Sequence, residues 1–501
     1  MHLANALLRE LDTPGLSLNE RAHIRCRIAK QLEQAGDYDA ASEAMAELWK
    51  GVGARPNLEG LDDKKKAEVL LRFGALTGWI GSANQIEGSQ EMAKDLISES
   101  LRIFDHLGQR SSVGEARSSL ALCYWRIGAL DEARVTLETA LSEFSESDVE
   151  QRTITAIWKA EVERASQRLN EALLIYSQTT PLIDKVNDHS LAAHFHNGLA
   201  NTLNQLSSIE NRPDYVDRAL IEYAAASFHF EQAGHERYQA CVENNLGFLF
   251  GTINRFDEAH EHLDRAQVLM TRLKDNVHLG QVDETRARVL LAEGRTVEAE
   301  KTARAAVLRL EKGDQLSLLA EALTTHGIAL SRLRHFETAR MALDRAIDIA
   351  EQVGDFESAG VAALSMIEQL GTSLSSEGIM ATLDHIGVLL ETTRDIPLLR
   401  RLAKAFQSLL RANAVSAPPD WASFSFKQAV REFEAKLISL GLKESGGVIT
   451  RAAHLLGFKH HQSLIAMMNN RHKDLLTTRS PARKRRHHLM AHPKRKKPED
   501  N

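Results

Sequence analysis

The chain has 501 residues, 43% of them hydrophobic and 26% charged, with 5% aromatics and ten prolines. That is enough apolar material to bury a large core in two or more domains, and it excludes a disordered chain. No stretch approaches the roughly 18 apolar residues of a membrane helix, and the start, MHLANALLRELD, lacks a basic segment followed by an apolar run. A cytoplasmic location is therefore expected. The net charge of -6 hides an asymmetry: eleven of the 62 Lys and Arg fall in residues 471–497, where Asp474 is the lone acid. The first 470 residues hold 51 basic against 65 acidic groups, so an acidic body precedes a basic end suited to nucleic acid or an acidic partner.

Ala, Leu, Glu, Arg and Gln abound, and these straight-chain residues lose little rotamer freedom in a helix. From the start, one phrase recurs: an apolar pair, a short loop, then a helix with Ala near its beginning. IAKQLEQAGDYDAASEAMAEL supplies Ala41, LALCYWRIGALDEARVTLETAL supplies Ala133, and KAEVERASQRLNEALLIYSQ supplies Ala172. In the middle the phase is strict, with Ala219, Ala259, Ala299 and Ala339 forty residues apart. Small residues precede them at Ala121, Gly247, Ala287 and Gly327, and a degraded hairpin is expected over 67–105. Cys26, Cys123 and Cys241 lie far apart without metal-ligand spacing and read as buried small hydrophobes.

These hairpins resemble the tetratricopeptide repeat, in which small residues let two helices pack closely, although the family's period is usually shorter. The resemblance implies an all-α superhelical solenoid over residues 1–411, with 357–411 as a capping hairpin and helix. It also implies a concave surface for a protein or peptide. Asn197 and Asn244, each three residues before a small contact residue, and Asn201 one turn on, could pair with a peptide backbone.

Pro418 and Pro419 stop the helical pattern and mark a linker over 412–423. In 424–476, Ala435, Leu437, Ile438 and Leu442 suit one helix, which Ser445, Gly446 and Gly447 should end. A short helix from Ile449 to Leu455 follows, then a turn at Leu456, Gly457 and Phe458, then a helix from His461.

Glu434, Gly447, the run Thr450, Arg451, Ala452, Ala453 and the run Leu455, Leu456, Gly457 resemble the helix-turn-helix of the Fis family (factor for inversion stimulation). Two positions depart from the family: Val448 stands where Asn is usual, and Leu464 lies one residue further from Gly457. The resemblance implies that Thr450 and Arg451 touch phosphates and that the helix after Lys459 and His460 lies in the major groove. His461, Gln462 and Ser463 can reach base edges there, with Asn470, Arg471 and Lys473 continuing the polar surface. It also implies a homodimer.

Residues 477–501 lack periodicity and read as a disordered basic tail, in which Arg483, Lys484, Arg485 and Arg486 can neutralise phosphates. The pairs at His194/His196 and His487/His488 have no completing ligand set, and no phosphate-cradling GxxxxGK or GxGxxG occurs, so no metal, cofactor or enzymatic activity is expected. The sequence thus points to a bacterial transcriptional regulator that holds a protein or peptide on its solenoid and DNA at its C-terminal end. The alternative is a non-enzymatic scaffold whose last helices do not read DNA.

Overall fold

The computed structural model describes Leu11 and residues 15–478, apart from 35, 84–85, 314, 372 and 417–424. Among these residues the secondary structure is helical throughout, with 22 α-helices and a closing 3-10 turn. They fall into two compact units, Met1–Phe406 and Gln407–Asn501.

Among the described residues the first unit is a tetratricopeptide-type stack of nine antiparallel hairpins. The first four are α1 (Leu18–Gln34) with α2 (Tyr38–Met45), α3 (Asp63–Ala83) with α4 (Ser89–His106), α5 (Arg110–Arg126) with α6 (Leu130–Glu143), and α7 (Val149–Ala165) with α8 (Leu169–Ile183). Next come α9 (His189–Glu210) with α10 (Pro213–Gln232), α11 (Glu236–Thr252) with α12 (Phe256–Leu273), and α13 (Asn276–Glu293) with α14 (Thr296–Leu310). The last two are α15 (Leu316–Arg332) with α16 (Phe336–Gln352) and α17 (Phe356–Leu370) with α18 (Ser376–Leu389), before a final α19 (Ile396–Ser416).

Packing follows the repeat. Ala41, Ala133, Ala172, Ala219, Ala259, Ala299 and Ala339 are all fully buried on the second helix of their hairpins. On the first helix, a Cβ added to Gly247 would lie 2.6 Å from Leu263 and 3.1 Å from the Ala259 carbonyl oxygen. The equivalent atom on Gly327 would lie 2.7 Å from Leu343 and 3.3 Å from the Ala339 carbonyl oxygen. Paired helices therefore meet almost at backbone distance. The turns keep the same phase: Asn254, Gly294 and Arg334 take φ of 61°, 88° and 64°, the left-handed geometry that ends the first helix of each pair.

The hairpin expected over 67–105 is a full-sized pair, α3 and α4, in which Gly74 meets the Ala93 carbonyl oxygen as Gly247 meets that of Ala259. A Cβ on Gly74 would press on Ile97 at 2.5 Å, and one on Gly81 on Ser89 at 2.2 Å. The linker expected to begin at 412 instead continues as helix, because α19, which crosses the division at Phe406, runs on to Ser416. Arg411, Ala412, Asn413, Ala414 and Val415 contain no helix breaker, and the first proline is Pro418. Burial pushes the thiols of Cys26 and Cys241 up to about 12 and that of Cys123 to about 11, and all three are free.

The second unit packs α20 (Phe426–Glu444), α21 (Ile449–Leu455) and α22 (His461–Arg471) around Ile438, Leu442, Ala452, Ala453, Leu464 and Met468. Leu475 and Leu476, in the 3-10 turn Lys473–Thr478, pack against this core.

Replacing Ala259 by Leu places three further carbons where α11 and α12 touch, and should cost about 1–3 kcal/mol. Thermal melting followed by circular dichroism checks this. A lowered midpoint is expected, and an unchanged one would contradict the helix contact.

Candidate functional site

In the second unit, two helices are joined by a turn that only a flexible backbone can make. Gly457 takes φ of 75°, and the amide of Phe458 donates back to the Ala453 carbonyl at 2.9 Å, closing α21. The turn then runs to His460, and α22 begins at His461 with Leu464 fully buried. The extra residue before Leu464 is thus taken up in the turn, and the core still receives its leucine.

The end of α22 is tied to α20. Glu434 accepts from Arg471 at 3.0 Å and bonds the ring of His472 at 3.1 Å, and His472 is only 2% exposed. The His472 hydrogen bond, with help from Arg471, holds the Glu434 carboxyl below its ordinary value against the opposing effect of desolvation. The acidic residue of the sequence pattern therefore fixes the angle at which α22 leaves the bundle.

Ten candidate DNA-binding residues lie on the described surface. Thr450 and Arg451 sit in the first turn of α21, and Lys459, His460, His461, Gln462 and Ser463 surround the start of α22; all are exposed. Asn470, Arg471 and Lys473 are exposed at its far end, where Arg471 is shared with Glu434. Arg483, Lys484, Arg485 and Arg486 lie outside the described residues. Between the two ends, Ala466 and Asn469 join Gln462 at i, i+4 and i+7, completing one exposed helical face. Ala466 carries no polar signal in sequence; its position on that face brings it in.

Leu437, expected in the core with Ile438 and Leu442, points outward. It belongs to a second stripe on α20, where Phe426, Phe433, Leu437 and Leu440 are 74%, 64%, 41% and 50% exposed.

In the solenoid the three asparagines have different surroundings. Asn197 lines a cavity, and its buried Oδ1 has no hydrogen-bond partner. Asn201 accepts from the Tyr223 hydroxyl at 2.7 Å. Asn244 is buried, also with an unpartnered Oδ1. Of the histidine pair, His194 packs edge-on against Phe230 and Tyr238, and His196 bonds Glu222 at 2.6 Å. Burial lowers His194 to about 4, so it is neutral near pH 7. Among the described residues no group of three or more His, Cys, Asp or Glu is placed to hold a metal ion, and no helix is long and apolar enough to cross a membrane.

Residues 429–459 match the family described as "Bacterial regulatory protein, Fis family". The match spans most of α20, all of α21 and the turn, and stops before α22. No curated protein matches the chain. Solved structures similar to it include a Rap protein complexed with Competence and Sporulation Factor, at 14% identity and TM-score 0.49, covering 70% of this chain and 95% of that one. The apo form of the quorum sensor NprR from B. thuringiensis is similar at 14% identity and TM-score 0.46, covering 70% and 96%. Yeast Tom70 is similar at 14% identity and TM-score 0.45, covering 79% and 83%.

Val448 is the N-cap of α21 and offers no side-chain acceptor to the amides of its first turn. Its φ of -83° and ψ of 103° already suit a cap, so Val448→Asn should stabilise α21 by about 1 kcal/mol. Amide hydrogen exchange over 449–455 in the full chain should slow by roughly fivefold. Faster exchange would show that Val448 is held by packing that the cap cannot replace.

Proposed function

We propose that the chain is a cytoplasmic bacterial transcriptional regulator that binds DNA through its second unit and a protein or peptide inside its solenoid. The observation that carries this reading is the match of 429–459 to the Fis family of bacterial regulators. The helix that follows, α22, adds an exposed face of Gln462, Ala466 and Asn469, flanked by Lys459, Arg471 and Lys473.

The chemistry suits each part. Arg451 and Lys459 would neutralise phosphates, and the α22 amides, whose N-cap His460 makes no side-chain cap bond, offer donors to the same backbone. Gln462 and Asn469 can bond adenine edges, and Ala466 can meet a thymine methyl. Arg483, Lys484, Arg485 and Arg486 would add a salt-sensitive, sequence-independent contribution.

The outward stripe on α20 favours a homodimer. Phe426, Phe433, Leu437 and Leu440 recur at i, i+7, i+11 and i+14, one side of a helix, and a second copy would remove them from water. Two copies also provide the two recognition helices that a tight site needs. In the solenoid, Asn197, Asn201 and Asn244 are the amides proposed to meet the partner.

The test is selection of a DNA site with the full chain, followed by titration of three variants. Arg451→Ala should weaken all sequences alike and lower the salt slope by about 1, whereas Gln462→Ala should cost about 1–3 kcal/mol at one base position. Phe433→Glu should sediment as a monomer and bind the selected site more weakly. Failure to select any sequence would favour the scaffold reading, in which the last helices dock a protein.

A further inference from the structure

The first four hairpins, with α9 and α11, leave a cavity of about 350 Å3 inside the solenoid. Four successive hairpins each contribute an aromatic ring to its wall: Tyr38 from α2, Trp79 from α3, Trp125 from α5 and Trp158 from α7. The rings form a continuous surface. Tyr38 stacks on Trp79 with centroids 5.5 Å apart, and Trp158 lies 6.1 Å from Trp79 and 5.9 Å from Trp125. All four are only half buried, so a large apolar area faces the space rather than the packed core.

The charges around this wall are largely consumed within the protein. Arg72 donates to Glu33 at 2.5 Å and to Glu115 at 3.0 Å, and Lys30 pairs with Glu115 at 2.9 Å. Glu161 accepts from the Tyr176 hydroxyl at 2.6 Å and from Arg164 at 2.6 Å. Of the other ionisable groups in the lining, Glu150 is exposed and His194 is neutral. The Arg126 guanidinium, outside the cavity lining, lies 3.9 Å above the Trp79 ring, and its Nη2 is buried without a hydrogen-bond partner. The lining itself therefore offers aromatic rings whose neighbouring charges are paired, beside Asn197, whose buried carbonyl oxygen lacks a donor.

Size narrows the occupant. At about 350 Å3 the space falls at the small end of the range of small-molecule sites, which begin near 300 Å3. We propose that this cavity binds a small, flat, uncharged aromatic molecule, packed against Trp125 and Trp158, with a hydrogen-bond donor for Asn197. The site rests on the partner-binding reading only in taking the solenoid interior as a binding surface, and it is independent of DNA.

Indole is the probe, titrated calorimetrically into the full chain. One-site saturable binding is expected, with N-methylindole, which lacks the donor, and cyclohexanol, which lacks the flat ring, each weaker by roughly tenfold or more. Trp158→Ala should abolish binding. Ser119→Phe, which fills the cavity and leaves every wall ring in place, should abolish it without lowering the melting midpoint, and decides the matter if Trp158→Ala unfolds. Absence of saturable heat, equal binding of cyclohexanol, or undiminished binding by folded Ser119→Phe would each overturn the proposal. Loss of DNA recognition, or failure to capture a peptide, leaves all of these readings intact.

Discussion

Where paired helices of the first unit cross, a glycine of one helix lies against an alanine backbone and a leucine side chain of the other. Gly247 faces Ala259 and Gly327 faces Ala339, with no room for a further carbon at either glycine. Each such crossing fixes the separation and angle of a hairpin, and repetition turns a local contact into a long-range one. Gly36 of the first hairpin thereby comes against the Tyr238 ring, two hundred residues later, and Tyr38 lines the same space as Tyr238. Arg400 of α19 similarly donates to the Ile209 carbonyl at 2.8 Å, satisfying an acceptor in the last turn of α9. The solenoid interior and its cavity are consequences of that accumulated rotation.

The same arrangement accounts for the polar groups buried between hairpins. Glu284 accepts from Thr325 of the next repeat at 2.6 Å, whereas Asp283 accepts from Arg309 within its own hairpin at 2.8 Å. Burial pushes both carboxyls up, and these partners oppose the shift. The Glu284–Thr325 bond favours one order of stacking, because a displaced neighbour would leave that buried acid without this donor. Asn197 and Asn244 stand apart from them, since no neighbouring repeat satisfies their Oδ1 atoms.

Much of this was legible in the chain itself. Ala219, Ala259, Ala299 and Ala339 declare the repeat because a close helix crossing is set by residues near in sequence and recurs with it. Ile449–Leu455 and His461 are readable as helix bounds because Gly446, Gly447 and Gly457 punctuate them. The cavity was not legible: Tyr38, Trp79, Trp125 and Trp158 share no period and meet only through the superhelix. Leu437 misled because one apolar helix carries two stripes, one for its own core and one facing outward. Asn201 bonds Tyr223 across a hairpin, and no periodicity reports such a pair.

The central claim is that folded residues of the second unit, and not charge alone, recognise DNA. Fluorescence-anisotropy titration of duplex DNA with the full chain and with a chain ending at residue 477 tests it directly, at low and moderate salt. The account predicts that both bind, that the shorter chain has a shallower salt dependence, and that it keeps its preference for a selected sequence. Binding only by the chain that retains Arg483, Lys484, Arg485 and Arg486, without sequence preference, would contradict it.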